Sequence, residues 1–351
     1  MSAKAFSHSK AATIKDVAAK AGVSYQTVSR VVNANPHVKN ETRARVTEAM
    51  AELRYRPNVA ARHLAGRRSR IIGFIGSMLY YGPVRTMLGV EQTAKKHGYN
   101  VMVAELAKVN ADEIRSAFEE LCARQVDGIV ILVPLDLDMD FIRSARGEIP
   151  FIAMDVDLGL DLPTVRVDQA KGSLLAIRHV TALGHRRIAF ICGPIGWRAA
   201  RLRKEGWMKA LKRAGLSPGP IYEGDWTPRS GYEAALKLIR YHRGEFSAVV
   251  VANDHMALGV LSAFSENGVK VPDEISVLGF DGLPETEFYN PPLSTIYQDF
   301  ATLGKVAVEY LLDVIDHPNA APSRYVLKPA LVKRKSTSAL STRTFGEMNG
   351  Q

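Results

Sequence analysis

The hydrophobic and polar positions near the amino terminus follow the period of short helices. In residues 14–21 the apolar side chains recur at i, i+3, i+4 and i+7, the spacing of one helix face. Thr13 and Asp16 have the spacing of a capping box, and Gly22 is typical of the residue that ends a helix. Ser24 is a favoured N-cap for a second helix of about nine residues. Two short helices around a glycine-containing turn predict a helix-turn-helix.

Two more helices are predicted before residue 70. The third begins near Asn40, and its core stripe consists of Val46, Met50 and Leu53. Pro57 is a favoured first residue for a short fourth helix that ends at Gly66. Its alanine-rich sequence buries little apolar surface, so we expect it to be marginal in isolation.

From residue 71 onward the pattern changes to short apolar runs that alternate with helical stretches. The runs are IIGFIG (71–76), NVMVA (100–104), DGIVIL (127–132), PFIAM (150–154), RIAFIC (187–192), SAVVVA (247–252) and ISVLGF (275–280). We interpret them as buried parallel strands. Helical patterns cover 170–184, 199–214, 231–241, 254–267 and 300–315. This alternation predicts a doubly wound α/β body built from two halves.

The charge is distributed unevenly along the chain. The formal net charge of the 351 residues is +10, and residues 1–70 hold 14 Lys and Arg against 4 Asp and Glu. The remaining residues hold 32 of each sign, so the whole excess lies in the first fifth of the chain. An acidic polymer is the partner that such a segment favours, although a merely solvated basic face would have the same charge.

The remaining sequence features exclude several classes of protein. Cys122 and Cys192 have no paired spacing, which predicts neither a disulfide framework nor a metal site. No apolar run approaches the roughly 20 residues that cross a bilayer, and residues 1–12 contain no secretory signal. Nucleotide-binding glycine motifs are absent from the sequence. We therefore expect a cytoplasmic protein with no cofactor and no membrane partner.

The second predicted helix has one apolar face and one face suited to reading DNA. Its buried face would consist of Val28, Val31 and Val32. The opposite face would present Tyr25, Gln26, Ser29 and Arg30. Arginine pairs with guanine and glutamine with adenine in the major groove, whereas a plain solvated helix more often carries lysine and glutamate.

Polar residues follow three of the predicted strands. Asp155, Asn253 and Asp281 each come directly after an apolar run. Each of them alone would more often be a cap or turn residue, and we expect Asp254 to cap the helix that it precedes. Ligands of parallel sheets bind beyond the carboxyl ends of the strands, so the three together predict a binding crevice.

The motifs together resemble the LacI/GalR family of bacterial repressors. They are AGVSYQTVSRVVN (21–33), TRARV (42–46), AMAELRYRPN (49–58), ARLR (200–203), EGDW (223–226), VANDHMALG (251–259) and LVKRK (331–335). The resemblance covers residues 13–335. It implies an all-α helix-turn-helix DNA-binding domain with a hinge helix, followed by a core like type I periplasmic binding proteins, with two doubly wound parallel-sheet subdomains.

The resemblance assigns residues to double-stranded operator DNA. It implies base contacts from Tyr25, Gln26 and Arg30. It implies supporting contacts, mainly to phosphates, from Thr13, Ser24, Thr27, Ser29, Asn33 and His37. In the hinge helix it implies minor-groove contacts from Asn58, Ala61 and Leu64, with the leucine wedged into the central base step. His63 stands where the member most like this chain has glutamine, which leaves the preferred operator centre open.

The resemblance also places a small-molecule effector, expected to be a sugar, between the core subdomains. It implies polar contacts from Asp155, Arg203, Asn253, Asp281 and Gln298. It implies apolar walls from Trp226 and Phe300. Tyr80 also lines the implied site, where the member most like this chain has leucine, and Ala199 replaces a serine. These two departures leave the identity of the sugar open.

The domain boundaries that follow have five parts. They are a flexible basic extension (1–12), the helix-turn-helix domain (13–56), the hinge helix and linker (57–70), the core (71–335) and a flexible tail (336–351). Within the core, one subdomain covers about 71–167 and 299–328, and the other covers 168–298 and 329–335. We expect a homodimer that pairs partly through residues 83–97. The tail lacks a leucine-heptad pattern, so we do not expect a tetramer.

The function expected from the sequence is an operator-binding repressor that a sugar releases. Three alternatives stay open at this point. The effector could promote DNA binding, as it does in purine-sensing relatives, or the protein could be a sugar sensor without a DNA role. A glycosidase that uses Asp155 and Asp281 as its carboxylate pair is the third. The basic DNA-reading segment favours the repressor.

Overall fold

The computed structural model describes residues 12–32, 35–55, 68–134, 149–156 and 162–340. The chain divides into two compact units, Met1–Ser69 and Arg70–Gln351. No helix in these described ranges is long and apolar enough to cross a membrane.

In the first unit, the described residues 12–32 and 35–55 fold into three helices around a small core. They are α1 (Ile14–Ala21), α2 (Tyr25–Val32) and α3 (Asn40–Glu52). Val17, Val28 and Val46, one from each helix, are fully buried. An ion pair between Lys20 and Glu52 joins the ends of α1 and α3. The three helices confirm the predicted elements, while the predicted helix at 57–66 lies outside the described residues.

Local hydrogen bonds define where these helices begin and end. The Thr13 hydroxyl accepts from the Asp16 N–H, and the Asp16 carboxylate accepts from the Thr13 N–H, which completes the capping box. Gly22 ends α1 in the left-handed conformation at φ 63°. The Thr27 N–H donates to Ser24 Oγ over 3.2 Å at the start of α2. The caps predicted for α1 and α2 are confirmed.

The first sheet of the second unit has six parallel strands in the order β11-β5-β4-β3-β1-β2. The strands are β1 (Ile71–Gly76), β2 (Asn100–Glu105), β3 (Gly128–Leu132), β4 (Phe151–Met154), β5 (Thr164–Val167) and β11 (Arg324–Leu327). Its helices are α4 (Tyr81–Lys96), α5 (Ala111–Ala123) and α10 (Phe300–Asp316). Two apolar clusters pack on its faces.

The second sheet also has six strands, in the order β12-β10-β9-β8-β6-β7. The strands are β6 (Ile188–Cys192), β7 (Ile221–Glu223), β8 (Ala248–Val251), β9 (Ser276–Asp281), β10 (Ser294–Tyr297) and β12 (Ala330–Val332). Its helices are α6 (Gln169–Ala182), α7 (Arg198–Arg213), α8 (Pro228–His242) and α9 (Asp254–Glu266), with a 3₁₀ turn at Pro284–Phe288. The chain crosses between the sheets after Val167, Tyr297 and Leu327.

The structure corrects two details of the predicted strands. β2, predicted to be buried, is an edge strand in which no residue is fully covered, and Val103 is 43% exposed. An edge strand has a neighbour on one side only, so its side chains are less covered. β12 pairs antiparallel with β10, so the second sheet is not wholly parallel.

The predicted flexible tail begins too early. Ser336 is fully buried, its hydroxyl donates to Val277 O over 2.6 Å, and it accepts from the Ser294 N–H over 2.8 Å. The Leu340 N–H donates to Leu183 O over 2.8 Å. These hydrogen bonds hold residues 336–340 against the second sheet and its helix α6. They also satisfy backbone groups that would otherwise be buried without partners. Residues 341–351 lie outside the described residues.

Two buried histidines anchor this segment. His185 contacts Ser247 Oγ at 2.9 Å, Ser276 Oγ at 3.0 Å and Ser338 O at 3.1 Å. His179 Nε2 lies 2.9 Å from Thr337 Oγ1. Burial lowers the pKa of both rings from the usual value of 6.5, and Lys333 lowers the pKa of His179 further. Both rings are therefore neutral in the folded protein at pH 7.

These two histidines should oppose folding as the pH falls. Below pH 6.5 the unfolded chain binds protons at them that the folded chain resists, so their contribution to stability falls with pH until the lowered folded pKa values are reached. Buried carboxyl groups such as Asp254, whose pKa is raised, act in the opposite direction, so we expect His185→Asn to raise the Tm at pH 5 relative to the Tm at pH 7 when compared with wild type. The exposed His317→Asn is the control. An equal pH slope for wild type and His185→Asn would contradict this role of His185.

Candidate functional site

A cleft in the second unit is lined by residues from both sheets. Seven of the eight predicted effector residues line it: Tyr80, Asp155, Arg203, Trp226, Asn253, Asp281 and Phe300. Gln298 is buried behind the cleft wall, where its Nε2 donates to Asp281 Oδ1 over 2.8 Å. The carboxyl ends of the strands position most of these residues, as the sequence pattern predicts.

Arg203 forms the polar centre of the cleft. Its Nη2 lies 3.2 Å from Asp281 Oδ1, and its Nε donates to Gln169 Oε1 over 2.9 Å. Another guanidinium nitrogen, Nη1, donates to the carbonyl of Ala252. The guanidinium also lies 4.1 Å from the centre of the Phe280 ring. These contacts hold a buried positive charge in one place, which suits it to donate to ligand oxygens.

Three of the cleft residues have left-handed backbone conformations. Asp155 has φ 52°, Trp226 has φ 74° and Asp281 has φ 108°. Non-glycine residues in this region cost of order 1–3 kcal/mol each and persist only where surrounding contacts maintain them. Contacts with their surroundings must therefore hold the backbone of the cleft in place at these three positions.

The two predicted carboxylates occupy matching places in the two sheets. Asp155 follows β4, and its Oδ1 accepts from the Val167 N–H over 3.1 Å. Burial raises the pKa of Asp155, while the Val167 N–H and the Arg203 guanidinium oppose that rise. Burial likewise raises the pKa of Asp281, opposed by Arg203 and Gln298. Both carboxyl groups can accept from ligand hydroxyls.

Asp254 is not the cap that the sequence predicts. Asn253 is the N-cap of α9, because its Oδ1 accepts from the Met256 N–H over 2.9 Å. Asp254 instead accepts from the Gly282 and Leu283 N–H groups over 2.7 and 2.9 Å, and so holds the turn after Asp281. Burial and the nearby Asp281 raise the pKa of Asp254 to about 8.

Aromatic rings form the walls of the cleft. Tyr80 and Trp197, which come from different sheets, meet edge to face with their centroids 5.1 Å apart. Trp197 lies 5.9 Å from Trp226 in a similar arrangement. Gly193 is required beside Trp226, because a Cβ at that position would lie 2.2 Å from the indole ring. The faces of such rings stack on the apolar faces of sugars.

Three buried polar atoms in the cleft lining find no hydrogen-bond partner within the part of the chain that the structure describes. They are Ser77 Oγ, Thr86 Oγ1 and Trp226 Nε1. An unsatisfied buried polar group costs roughly 1–3 kcal/mol. A ligand with several hydroxyls would satisfy these atoms.

Sequence reasoning missed several residues that line the cleft. They are Ser77, Tyr81, Thr86, Gln169, Trp197, Arg198 and His255. Ser77 directly follows β1 and Gln169 follows β5 by two residues, so the strand-end rule that found Asp155 could have found both. Thr86 lies within α4 and is fully buried, and no local sequence signal marks it as a cleft residue.

The first unit presents the predicted DNA-reading face on α2. Tyr25 is 56% exposed, and Gln26 and Arg30 are also exposed. The face opposite contains the buried Val28 and Val31. A large aromatic ring left in solvent beside a glutamine and an arginine is suited to contact the edges of bases.

The other predicted DNA residues differ in their surroundings. Thr13 and Ser24 are exposed but their hydroxyls are bonded within helix caps, and Thr27 and Ser29 are half-buried. His37 is exposed, and its N–H donates to Asn35 Oδ1 over 2.9 Å. Four predicted residues, Asn33, Asn58, Ala61 and Leu64, lie outside the described residues. Among the described residues, no group of three or more His, Cys, Asp or Glu side chains could hold a metal ion.

Two family models match the chain in separate segments. Residues 13–58 match the model of bacterial regulatory proteins of the lacI family, which covers all three helices of the first unit. Residues 177–337 match the periplasmic binding protein-like domain.

The matches to single proteins extend over nearly the whole chain. The lactose operon repressor of Escherichia coli is 39% identical over 339 residues, which is 95% of this chain and 93% of the repressor. The transcriptional repressor PurR of Haemophilus influenzae is 32% identical over 94% of this chain and 99% of its own. The crystal structure of the lac repressor dimer bound to operator and the anti-inducer ONPF superposes with a TM-score of 0.87 at 37% identity, covering 94% of this chain and all of that one. This chain belongs to the LacI family of bacterial transcriptional repressors and has an effector-binding core of the periplasmic-binding-protein type.

Proposed function

We propose that this protein is a dimeric repressor that binds a pseudo-palindromic operator and is released when a small saccharide binds in the cleft. The observation that carries the proposal is the cleft itself, where carboxylates, a fixed guanidinium and aromatic rings packed edge to face converge. This combination matches a ligand that carries many hydroxyls on an otherwise apolar ring.

The chemistry of the cleft favours a saccharide over a charged ligand. Asp155 and Asp281 accept from hydroxyls, Arg203 and Trp226 Nε1 donate to them, and Ser77 can do either. The Arg203 charge is already paired with Asp281, so it does not require an anionic ligand. A neutral polyhydroxylated molecule satisfies this set without leaving a buried charge unpaired.

The DNA part of the proposal rests on α2 and on the relatives. The exposed side of α2 presents Tyr25, Gln26 and Arg30, and the related lac repressor was solved as a dimer bound to operator. A twofold-symmetric dimer presents two such helices, and it therefore reads two half-sites about one helical turn apart. We expect an operator of the lactose-operon type because residues 13–58 match the lacI family model and the lactose operon repressor is 39% identical over 95% of this chain.

An operator titration with a sugar panel tests the proposal. Fluorescence anisotropy would measure the Kd for a lactose-type operator and for scrambled DNA at physiological salt, with galactosides, glucosides and pentoses added in turn. We expect tight binding of the operator alone and a weaker Kd with at least one sugar. Equal affinity for the operator and for scrambled DNA would reject sequence-specific binding of this operator. A lower Kd for the operator in the presence of a sugar would indicate that the sugar is a corepressor. A parallel hydrolysis assay tests the glycosidase alternative.

A further inference from the structure

Four buried side chains behind the cleft form a closed ring of hydrogen bonds. Arg203 Nε donates to Gln169 Oε1 over 2.9 Å, and Gln169 Nε2 donates to Gln298 Oε1 over 2.9 Å. Gln298 Nε2 donates to Asp281 Oδ1 over 2.8 Å. The ion pair between Asp281 and Arg203 at 3.2 Å closes the ring. All four residues are at least nine-tenths buried.

The chemistry of Arg203 and Asp281 determines which group donates and which accepts in each hydrogen bond of the ring. Arginine can only donate, so Gln169 must turn its oxygen toward Arg203. The amide nitrogen of Gln169 then faces Gln298, which must also present its oxygen. The Gln298 nitrogen is left to donate to Asp281, and an ionised carboxylate can only accept. Each amide therefore has one orientation that satisfies both of its neighbours.

The ring lies at the segments where the chain crosses between the sheets. Gln169 follows β5 by two residues, and Gln298 directly follows β10. The third crossing is bonded to the first, since the Asp168 N–H donates to Leu327 O over 3.0 Å. Bending between the subdomains must change these segments, because they are the covalent connections between the two sheets.

We propose that Gln169 is a positioning residue that holds Arg203 in the cleft and, through Gln298, links the Arg203–Asp281 pair to the crossing segments. A ligand hydroxyl that bonds Asp281 or Arg203 changes the donors and acceptors of this ring directly. The change then reaches two crossing segments without any intervening residue. This role in sensing rests on the proposed function, whereas the ring itself does not.

The defined direction of the ring allows a test by reversal. Gln169→Glu alone places an acceptor toward Gln298 Oε1, and Asp281→Asn alone removes the acceptor-only partner of Gln298 and the counter-charge of Arg203. In the double variant Q169E/D281N, Arg203 and Gln298 both donate to the new carboxylate, and the new amide donates to Gln298 Oε1. The net charge is conserved, the Arg203 charge is paired with the new carboxylate at position 169, and the two hydrogen bonds of Gln298 run in the opposite direction.

Hydrogen–deuterium exchange of the full chain, without DNA or sugar, measures the outcome. Each single variant should accelerate exchange of the amides at 168–172 and 298–302 by about tenfold, as expected for a broken buried network. The double variant should return them to within about threefold of wild type, because the buried Arg203 charge is paired again and both bonds of Gln298 are re-formed. Amides of β8 serve as the internal reference, and Q92E/D273N, at two exposed positions, is the charge-matched control.

If the two substitutions acted independently, these amides would exchange about a hundredfold faster in the double variant than in wild type. That result would overturn the proposal. Unchanged exchange in Q169E would overturn it as well. A purely structural role for Gln169 predicts no rescue by a second substitution at Asp281. Because no sugar or operator is present, failure of this test is distinguishable from failure of the proposed function.

Discussion

Arg203→Ala should abolish the response to sugar while the protein still binds its operator. Arg203 is the donor at the centre of the cleft, and its removal leaves Asp281 buried without its counter-charge. Removing one partner of a buried ion pair costs about 3–5 kcal/mol of folding stability, so Tm should fall as well. The DNA-reading face belongs to the other compact unit, and we therefore expect the Kd for the operator without sugar to stay within about twofold of wild type.

The operator titration should be performed well below the Tm of the variant. Asp281→Ala should have the same phenotype, since it removes the other half of the pair. Arg213→Ala, on the exposed end of the same helix, is the matched control and should respond to sugar as wild type does. Operator release by both cleft variants at wild-type sugar concentrations would show that the effector binds elsewhere.

Arg30→Ala should weaken operator binding and relax the choice of base at one position of each half-site. Arg30 is exposed on α2 beside Gln26, where a bidentate pair with guanine is geometrically available. The loss of one such contact costs about 1–3 kcal/mol, or about 5- to 150-fold in Kd. Arg30 lies outside the core of the first unit, so we expect Arg30→Ala to leave the Tm of that unit unchanged.

Binding to a set of operators with single base substitutions separates base reading from charge. Arg45→Ala on α3 removes the same charge from an exposed position and is the control. We expect the control to preserve the order of preference among the operators, while Arg30→Ala makes two or more of them equivalent. An unchanged preference in Arg30→Ala would assign this residue to phosphates.

The elements set by local chemistry were predictable from the sequence. The capping box of Thr13 and Asp16, the left-handed Gly22 and the apolar stripe of α1 each act within a few residues, and the structure confirms them. The long apolar runs of the core were predictable for the same reason, because a fully buried strand needs consecutive apolar residues.

Five short strands at or next to the edges of the sheets were not predictable. β5, β7, β10, β11 and β12 have only three or four residues each, and they form strands because neighbouring strands supply hydrogen bonds. Likewise, the burial of Ser336 depends on its bonds to Val277 and Ser294, which are distant in sequence. Such tertiary contacts leave no local pattern.

The cleft was predictable at its strand ends but not along its helices. Asp155 and Asp281 follow apolar runs, whereas Thr86 and Trp197 enter the cleft from a helix and from a loop. Trp197 in particular changes the interpretation of Ala199. The serine hydroxyl that the resemblance implies is absent there, and an aromatic ring two residues earlier lines the same wall.

The central claim is that a saccharide in the cleft and the operator on α2 shift the same conformational equilibrium of the protein. Measuring the effect of each ligand on the binding of the other tests this claim most directly. Thermodynamic linkage requires each ligand to change the affinity of the other by the same factor, typically about 5- to 150-fold. Calorimetry would give the Kd for the most effective sugar of the panel with and without saturating operator. We predict that the operator weakens sugar binding by the factor by which that sugar weakens operator binding. A sugar Kd that is identical with and without the operator would contradict the account.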